Sequence, residues 1–199
     1  MEVNAFIDRI FQRIPRLPPT DYVFFHWSWG GRPTEEGFGL LPILGMNAES
    51  VAAAIMDVDH YKGNVEHVVE CRTVPDSRYA LPTSVRFYQR IDIPMLGAVH
   101  HELVLQRLGA RQGYEILAWD MLKTESDALN PKVGARSEYN SGAWLVGNGV
   151  LGYALASAPR RDDVGFLKFK ALTSGADAAA SRVVKANIEG MAKWAARRR

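Results

Sequence analysis

Four side chains between residues 57 and 67 have the chemistry of metal ligands: Asp57, Asp59, His60 and His67. Two histidines and one carboxylate form the iron site of many oxygenases. The two histidines are separated by Gly63-Asn64, so we expect one on a loop and the other on a strand. The two histidines would therefore not share a helical face. The pattern instead favours two aspartates that end a helix, with two histidines that bind no metal. We therefore predict no metal site and no cofactor.

Nucleophilic catalysis finds little support. Cys71 is the single cysteine, and it lies in a β-type run without an adjacent base. A strand cysteine is usually a small buried apolar residue. No serine lies in a Gly-x-Ser-x-Gly turn, and Gly147-Asn148-Gly149 is not followed by the helix that a phosphate-binding loop needs. A single cysteine also excludes an internal disulfide and fits a reducing compartment.

The remaining candidates suit a pocket lining. Tyr88 and Arg90 share one face of a predicted strand, and His100 and Glu102 share one face of the next, because side chains alternate along a strand. His100 and His101 are adjacent, so they point to opposite faces and at most one of them faces a pocket. Four aromatic residues are large enough to wall a cavity and carry polar groups: Trp119, Tyr139, Trp144 and Tyr153. We predict ligand contacts for these four and for Tyr88, Arg90, His100 and Glu102.

Most of these residues lie on three consecutive strands. Residues 84–121 contain three β-type runs separated by a Pro-x-x-Gly turn and a Gly-Ala-Arg-Gln-Gly turn, with no room for a helix between them. Short connections of this kind make an antiparallel meander. Each run mixes polar with large apolar residues, so both faces of the sheet carry some polarity. Such a sheet suits a grip around a small molecule.

The stretch from Tyr139 to Pro159 has no charged residue and is about as long as a transmembrane helix. Gly147-Asn148-Gly149 lies at its centre, and Gly and Asn tolerate the positive φ of hairpin turns. We therefore predict a hairpin of strands 136–146 and 150–157, and a soluble, cytoplasmic protein.

Helical periodicity appears in three places. Residues 2–14 and 48–58 each carry an apolar stripe, and Asn47 is a good N-cap for the second. Residues 176–196 form the longest pattern, with a stripe that includes Val184, Ile188 and Met191. Further strands are predicted over 37–44 and 65–74, and residues 22–29 are aromatic-rich and extended. The sequence predicts an α+β chain, with an N-terminal extension over 1–35 and one ligand-binding domain over 36–199.

Positive charge is concentrated at the C-terminus. The formal net charge is +2, whereas residues 182–199 alone carry Arg182, Lys185, Lys193, Arg197, Arg198 and Arg199 against Glu189. Cations at the end of a helix offset its dipole, which is the simplest interpretation. Transient contact with an anionic membrane is the alternative. We expect no nucleic-acid partner, because no patch of alternating aromatic and basic residues occurs elsewhere.

Three strings of this sequence resemble the START-like lipid-transfer superfamily, also called SRPBCC. Its fold is shared by the birch-pollen allergen and by bacterial polyketide cyclases. The first string is Ser50–Asp59 followed by Tyr61, similar to an early family helix that ends in Asp and an aromatic residue. The second is Arg90-Ile-Asp-Ile-Pro94, and the third is Tyr153–Pro159 before a long terminal helix. His100-His101 stands where many START domains have Arg-Asp, so that position implies no particular lipid.

The resemblance, over about residues 36–196, implies a helix-grip fold. In that fold a curved antiparallel sheet of about seven strands wraps around a long C-terminal helix, here with an N-terminal helical extension. It implies binding, and transport in some members, of a hydrophobic or amphipathic small molecule (lipid, sterol or polyketide-like) in a cavity between sheet and helix, with Arg90 or a histidine at the polar end. The alternative is an enzyme, a polyketide aromatase/cyclase that uses the same cavity. We expect a binding protein rather than an enzyme.

Overall fold

The computed structural model describes residues 2–94, 97–122, 129, 132–173 and 177–198. One antiparallel sheet of eight strands dominates it, one strand more than expected. The strands are β1 Val23–Trp27, β2 Glu36–Pro42, β3 Val68–Thr73, β4 Ser84–Ile93, β5 Gly97–Arg111, β6 Tyr114–Met121, β7 Ala135–Gly147 and β8 Val150–Pro159. The helices are α1 Glu2–Phe11, α2 Ala48–Met56, α3 Arg161–Val164, α4 Phe166–Thr173 and α5 Asp177–Arg197, with a short 3₁₀ helix at Val58–His60.

The strands lie in the order β1-β2-β8-β7-β6-β5-β4-β3. The predicted meander is confirmed, since β4 pairs with β5 and β5 with β6, both antiparallel. The predicted hairpin is also confirmed, and β7 and β8 turn at Asn148-Gly149, where Gly149 has a φ of +73°. The fold is therefore the predicted α+β arrangement of one sheet with helices packed on it.

The sheet has two buried faces. The inner face lies under α5, and its apolar residues pack against Val184, Ile188 and Met191 of that helix. These sheet residues are Val85, Phe87, Leu103, Leu105, Leu117, Trp119, Trp144 and Tyr153. The outer face is partly covered by α1, which buries Phe6, Ile7 and Ile10 against strands that include β6 and β7. Burial on both faces follows from helices that flank the sheet on both sides.

Residues 1–35 are joined closely to the rest of the chain. The aromatic segment contains β1, which pairs with β2 along its whole length and so forms one edge of the sheet. α1 is held by a buried ion pair between Arg9 and Glu36, the first residue of β2. α1 ends at Phe11, three residues before the predicted end at Ile14. Pro15 disfavours the helical conformation of Ile14, so the helix does not continue through it.

α2 begins as predicted. The side chain of Asn47 accepts a hydrogen bond from the backbone N–H of Ser50 at 3.0 Å, which caps the helix. Its apolar residues Val51 and Ile55 are fully buried in the core beneath α5. α2 and α5 therefore cover the inner face together.

α5 crosses the inner face and is closely seated at two points. A Cβ atom on Gly39 of β2 would lie 2.6 Å from Val184, and one on Gly190 would lie 2.1 Å from the backbone oxygen of Asn64. Glycine at these positions permits the close approach. The start of the predicted helix, at Ala176, lies outside the described residues. Within the described part of the chain, every helix is too short or too polar to span a lipid bilayer.

Candidate ligand-binding site

A cluster of uncharged polar side chains lies on the inner face, surrounded by apolar residues. Its centre is His101 of β5, which is fully buried. The Nε2 atom of His101 lies 2.9 Å from Oε1 of Gln89, on β4, and its Nδ1 atom lies 3.0 Å from Oγ of Ser137, on β7. Cross-strand pairing explains the first contact, because Gln89 and His101 are direct partners in the register.

The hydrogen-bond partners determine the state of His101. An amide oxygen only accepts, so Nε2 carries the proton and donates to Gln89, while Nδ1 accepts from the hydroxyl of Ser137. Burial, with a smaller contribution from neighbouring His100, lowers the pKa of His101 to about 3. His101 is therefore neutral at physiological pH.

Asn140 extends the cluster towards β6. Its Oδ1 accepts a hydrogen bond of 2.8 Å from Nε1 of Trp119, and its Nδ2 lies 3.4 and 3.3 Å from the two ring nitrogens of His101. A β-bulge between Ser137 and Tyr139 brings Ser137 and Asn140, three residues apart, to the same face. The bulge thereby gives β7 two contacts with one imidazole.

Apolar side chains around this cluster are incompletely covered. Four inner-face residues near the end of the sheet where β4 and β6 finish are only partly buried: Cys71, Ile91, Met121 and Leu155. Burial raises the pKa of the Cys71 thiol, and nearby Asp59 adds to the effect. Cys71 is therefore a protonated, weakly polar part of the wall rather than a nucleophile.

The surface beneath α5 carries two more neutral polar groups. Burial raises the pKa of Tyr153, whose hydroxyl interacts with the side chain of Asn187 on α5. Asn187 also accepts a 2.7 Å hydrogen bond from the backbone of Glu66, which ties α5 to the segment before β3. The ring of Tyr153 packs at tilted angles of 32° and 58° against the rings of Trp119 and Trp144, with centroids 5.5 and 4.5 Å apart.

The eight predicted contact residues divide between the two faces. Trp119, Trp144 and Tyr153 lie on the inner face. Tyr88, Arg90, His100, Glu102 and Tyr139 lie on the outer face. The structure does not bring the two sets together, since the sheet separates them. Ligand contact by any of these residues stays a prediction.

The outer-face residues have protein partners of their own. The hydroxyl of Tyr88 lies 3.1 Å from Nδ1 of His100, and a carboxylate oxygen of Glu102 accepts a 2.5 Å hydrogen bond from Nη2 of Arg86. Arg90 lies 3.6 Å from Glu70, with its side chain about one third exposed. We expected Arg90 to face a cavity under the C-terminal helix, but strand alternation places it on the opposite side from α5.

Tyr139 and three of the four possible metal ligands also have simple structural roles. The hydroxyl of Tyr139 lies 2.6 Å from that of Thr34. His60 lies 2.8 Å from Asp57 and stacks on Trp194, while Asp59 accepts hydrogen bonds from Thr73. Among the described residues, no group of three or more histidine, cysteine or acidic side chains is placed to hold a metal ion.

Sequence reasoning missed Gln89, His101, Ser137 and Asn140. A signal for the first two was present, because they continue the apolar phase set by Val85-x-Phe87 and by Leu103-x-Leu105. Arg86, Arg90 and Glu102 occupy the other phase. The most apolar phase of a strand normally faces the core, so the polar residues within it are the better pocket candidates.

A separate groove opens on the surface between α5 and the segment before β3. Its volume is about 470 Å³, and its lining includes Glu66, His67, Glu189, Lys193 and Arg197. Arg197 donates a 2.5 Å hydrogen bond to Asn64 at its edge. The groove is polar and does not include the His101 cluster.

No protein-family model matches the chain, and the comparison with curated proteins gives no significant match. Solved structures do match. Human STARD10 is 13% identical with a TM-score of 0.69, over 96% of this chain and 78% of that one. A STAR-related lipid transfer protein from Xanthomonas axonopodis is 13% identical with a TM-score of 0.66, over 87% and 94%.

The Zhui aromatase/cyclase from Streptomyces sp. R1128 is 14% identical with a TM-score of 0.54, over 88% of this chain and 96% of that one. Similarity at this level of identity concerns the fold. This chain has the helix-grip fold that START-related lipid transfer domains and polyketide aromatase/cyclases share, as the sequence resemblance implied. The match to STARD10 covers so much of the chain that it includes most of residues 1–35.

Proposed function

We propose that this helix-grip domain binds a hydrophobic or amphipathic small molecule, such as a lipid, a sterol or a polyketide-like compound, between the inner face and α5. One observation carries the proposal. Cys71, Ile91, Met121 and Leu155 leave apolar surface partly uncovered beside a buried polar cluster. Ligand pockets combine a mostly apolar wall with a few fixed polar groups in this way.

Covering this surface would stabilise a complex. Removing apolar area from water contributes about 25 cal/mol per Å², so each further 100 Å² covered is worth roughly 2.5 kcal/mol. The lipid-transfer names of STARD10 and the Xanthomonas protein suggest the same class of ligand for this chain. The proposal includes transport, in which the protein carries that ligand from one membrane to another.

Native mass spectrometry of the protein purified without detergent tests binding directly. We expect a bound species of lipid-like mass that dissociates in organic solvent. Leu155→Asn should reduce its occupancy, while Leu108→Asn is the matched control, because Leu108 is an exposed leucine near the β5–β6 turn. Ligand-free spectra, together with no uptake from mixed lipid vesicles, would contradict the proposal.

Catalysis is the second candidate, suggested by the similarity to the Zhui aromatase/cyclase and by the buried imidazole. A general base works best when its pKa lies near the operating pH. The pKa of His101, lowered to about 3, makes it a weak base, and both ring nitrogens already have partners. The chemistry of His101 therefore favours binding over proton transfer. Cyclised product from a linear polyketide chain, lost in His101→Gln, would reverse this preference.

Membrane contact through the basic C-terminus is part of the proposed exchange. Lys193 lines the surface groove, and Arg198 donates hydrogen bonds to Ala53 and Asp57, so α5 is fastened to α2 at this end. Each basic residue near an anionic membrane is worth about 1 kcal/mol at low salt. The Lys193→Gln/Arg197→Gln/Arg198→Gln variant should bind phosphatidylserine vesicles roughly 100-fold more weakly.

The matched control for that experiment is Lys185→Gln, an exposed change on the same helix away from the end. Ligand affinity should be unchanged in both variants. If the parent protein does not bind vesicles, or if salt has no effect on its binding, the basic end serves α5 alone.

A further inference from the structure

The hydrogen bonds inside the His101 cluster limit what a ligand can offer it. Oδ1 of Asn140 already accepts from Trp119, Oε1 of Gln89 accepts from His101, and Nδ1 of His101 accepts from Ser137. Each of these acceptors already makes one hydrogen bond within the protein. A ligand group that only donates hydrogen bonds would therefore find only the second lone pair of each amide oxygen, and no lone pair on His101.

The hydrogen-bonding groups of the cluster that remain for a ligand are amide N–H donors. Nδ2 of Asn140 lies almost equally far from both ring nitrogens of His101, at 3.4 and 3.3 Å, so it sits over the ring rather than in line with either lone pair. Nε2 of His101 is protonated and Nδ1 is already bonded to Ser137. An N–H of Asn140 is therefore poorly used and lies on the inner face, where an oxygen acceptor would satisfy it better.

The charge of the surroundings decides which acceptor fits. The strands place Arg86, Arg90 and Glu102 on the outer face, behind the sheet. Among the described strand residues of the inner face, the one Lys or Arg is Arg107. It lies at the far end of the sheet and forms ion pairs with Glu49 and Glu115. A carboxylate or phosphate at Asn140 would thus be desolvated without a positive partner, which is costly.

We propose that the site selects a ligand whose buried end is an uncharged oxygen acceptor, a hydroxyl or carbonyl group, which accepts a hydrogen bond from the side-chain amide of Asn140. This inference rests on the proposed function and narrows it. It favours free sterols, long-chain alcohols, ketones and esters over fatty acids and over phospholipids bound head first. The low pKa of His101 supports it, because the imidazole does not supply a positive charge at neutral pH.

The test compares ligands that differ only at one end. In a competition assay, oleyl alcohol, oleyl sulfate and oleylamine are each tested for displacement of the dye Nile red from the delipidated protein. Cholesterol and cholesterol sulfate repeat the comparison with a rigid ring system in place of the flexible chain. For each hydrophobic body that binds, we expect the neutral compound to compete at least about 100-fold better than its sulfate, because a buried charge without a partner is strongly unfavourable.

The outcomes separate the two proposals. If Nile red and all five compounds fail to bind, the proposed function fails and this inference fails with it. If Nile red binds but the sulfates compete as well as the neutral compounds, or the neutral compounds do not compete, this inference is overturned while ligand binding stands.

Variants locate the contact. Asn140→Leu should lower the preference for oleyl alcohol over the hydrocarbon 9-octadecene by roughly five- to tenfold, the worth of one hydrogen bond. Glu138→Gln, an exposed change two residues away, is the matched control and should leave that ratio unchanged. If Asn140→Leu does not fold, the isosteric Asn140→Asp replaces it, and oleylamine should then gain on oleyl alcohol. An unchanged ratio in a folded Asn140 variant would exclude Asn140 as the donor.

Discussion

The buried ion pair between α1 and β2 yields a quantitative prediction about the first 35 residues. Nε and Nη2 of Arg9 donate to the two oxygens of Glu36 at 2.7 and 2.5 Å, and Nε1 of Trp27 donates to the same carboxylate at 2.5 Å. The side chains of Arg9 and Glu36 are 7% and 1% exposed. A bidentate pair with this burial is sensitive to the loss of one partner.

Replacing Arg9 with methionine would leave the carboxylate of Glu36 buried beside Trp27 without its main counter-ion. Arg32 is 4.0 Å away and compensates only in part. Removal of one partner from a buried pair costs about 3–5 kcal/mol. The double variant Arg9→Met/Glu36→Gln removes the stranded charge but keeps an acceptor for Trp27, so it should recover most of that loss.

Urea unfolding followed by circular dichroism and tryptophan fluorescence measures these differences. The matched control is Asp8→Asn, also on α1, because Asp8 pairs with Arg111 in an exposed bridge whose side chains are 59% and 43% exposed. Exposed pairs contribute about 0–1 kcal/mol. If Arg9→Met costs no more than Asp8→Asn, or if the double variant is no more stable than Arg9→Met, the reasoning is wrong.

Three further predictions follow from burial, ionisation and close packing. The pKa of His101 is about 6.5 in the unfolded chain and about 3 in the folded protein, so its contribution to stability is fully present above pH 6.5. Below pH 6.5 the free energy of unfolding falls by about 1.4 kcal/mol per pH unit, because the unfolded chain binds one more proton. In urea titrations from pH 6 to 4, His101→Gln should remove that one-proton slope, and an unchanged slope would contradict the burial argument. Hydrogen bonds from Arg136 lower the pKa of Asp163 to about 2, so the stability that Asp163 contributes is present above pH 4 and lost between about pH 4 and 2. Asp163→Asn should reduce the pH dependence of the unfolding free energy in that range, and an identical pH dependence in the variant would refute this. A Cβ on Gly142 would lie 2.1 Å from the Trp119 ring, so Gly142→Ala should cost about 1–3 kcal/mol and shift tryptophan emission, whereas an unshifted spectrum with an unchanged midpoint would show that the ring can move freely.

The order of elements could be predicted from the sequence because local signals agree there. Asn47 caps α2, and Asn148-Gly149 turns the β7–β8 hairpin, as their side-chain and backbone preferences require. β1 was harder, since an aromatic-rich segment gives no pairing partner. Its edge position depends on contact with β2, which sequence periodicity does not contain.

The candidate site was only partly predictable, for two physical reasons. Strand alternation separates His100 from His101 but does not show which face α5 covers, and here both residues are fully buried, so burial gives no distinction. The β-bulge after Ser137 then changes the phase of β7, which turns Tyr139 outward and Asn140 inward. The sequence proposed Trp119, Trp144 and Tyr153 as pocket walls without assigning them a face, and they lie on the inner face among apolar neighbours.

The separation of charged and apolar side chains along β4 and β5 also affects how the sheet assembles. Arg86 and Arg90 alternate with Val85 and Phe87, so a one-residue error in pairing would turn both guanidinium groups towards the core and the apolar pair towards the opposite face. Such a mispaired sheet would lose the core contacts and bury two charges at once. The alternation therefore favours the native register of β4 and β5 over a register shifted by one residue.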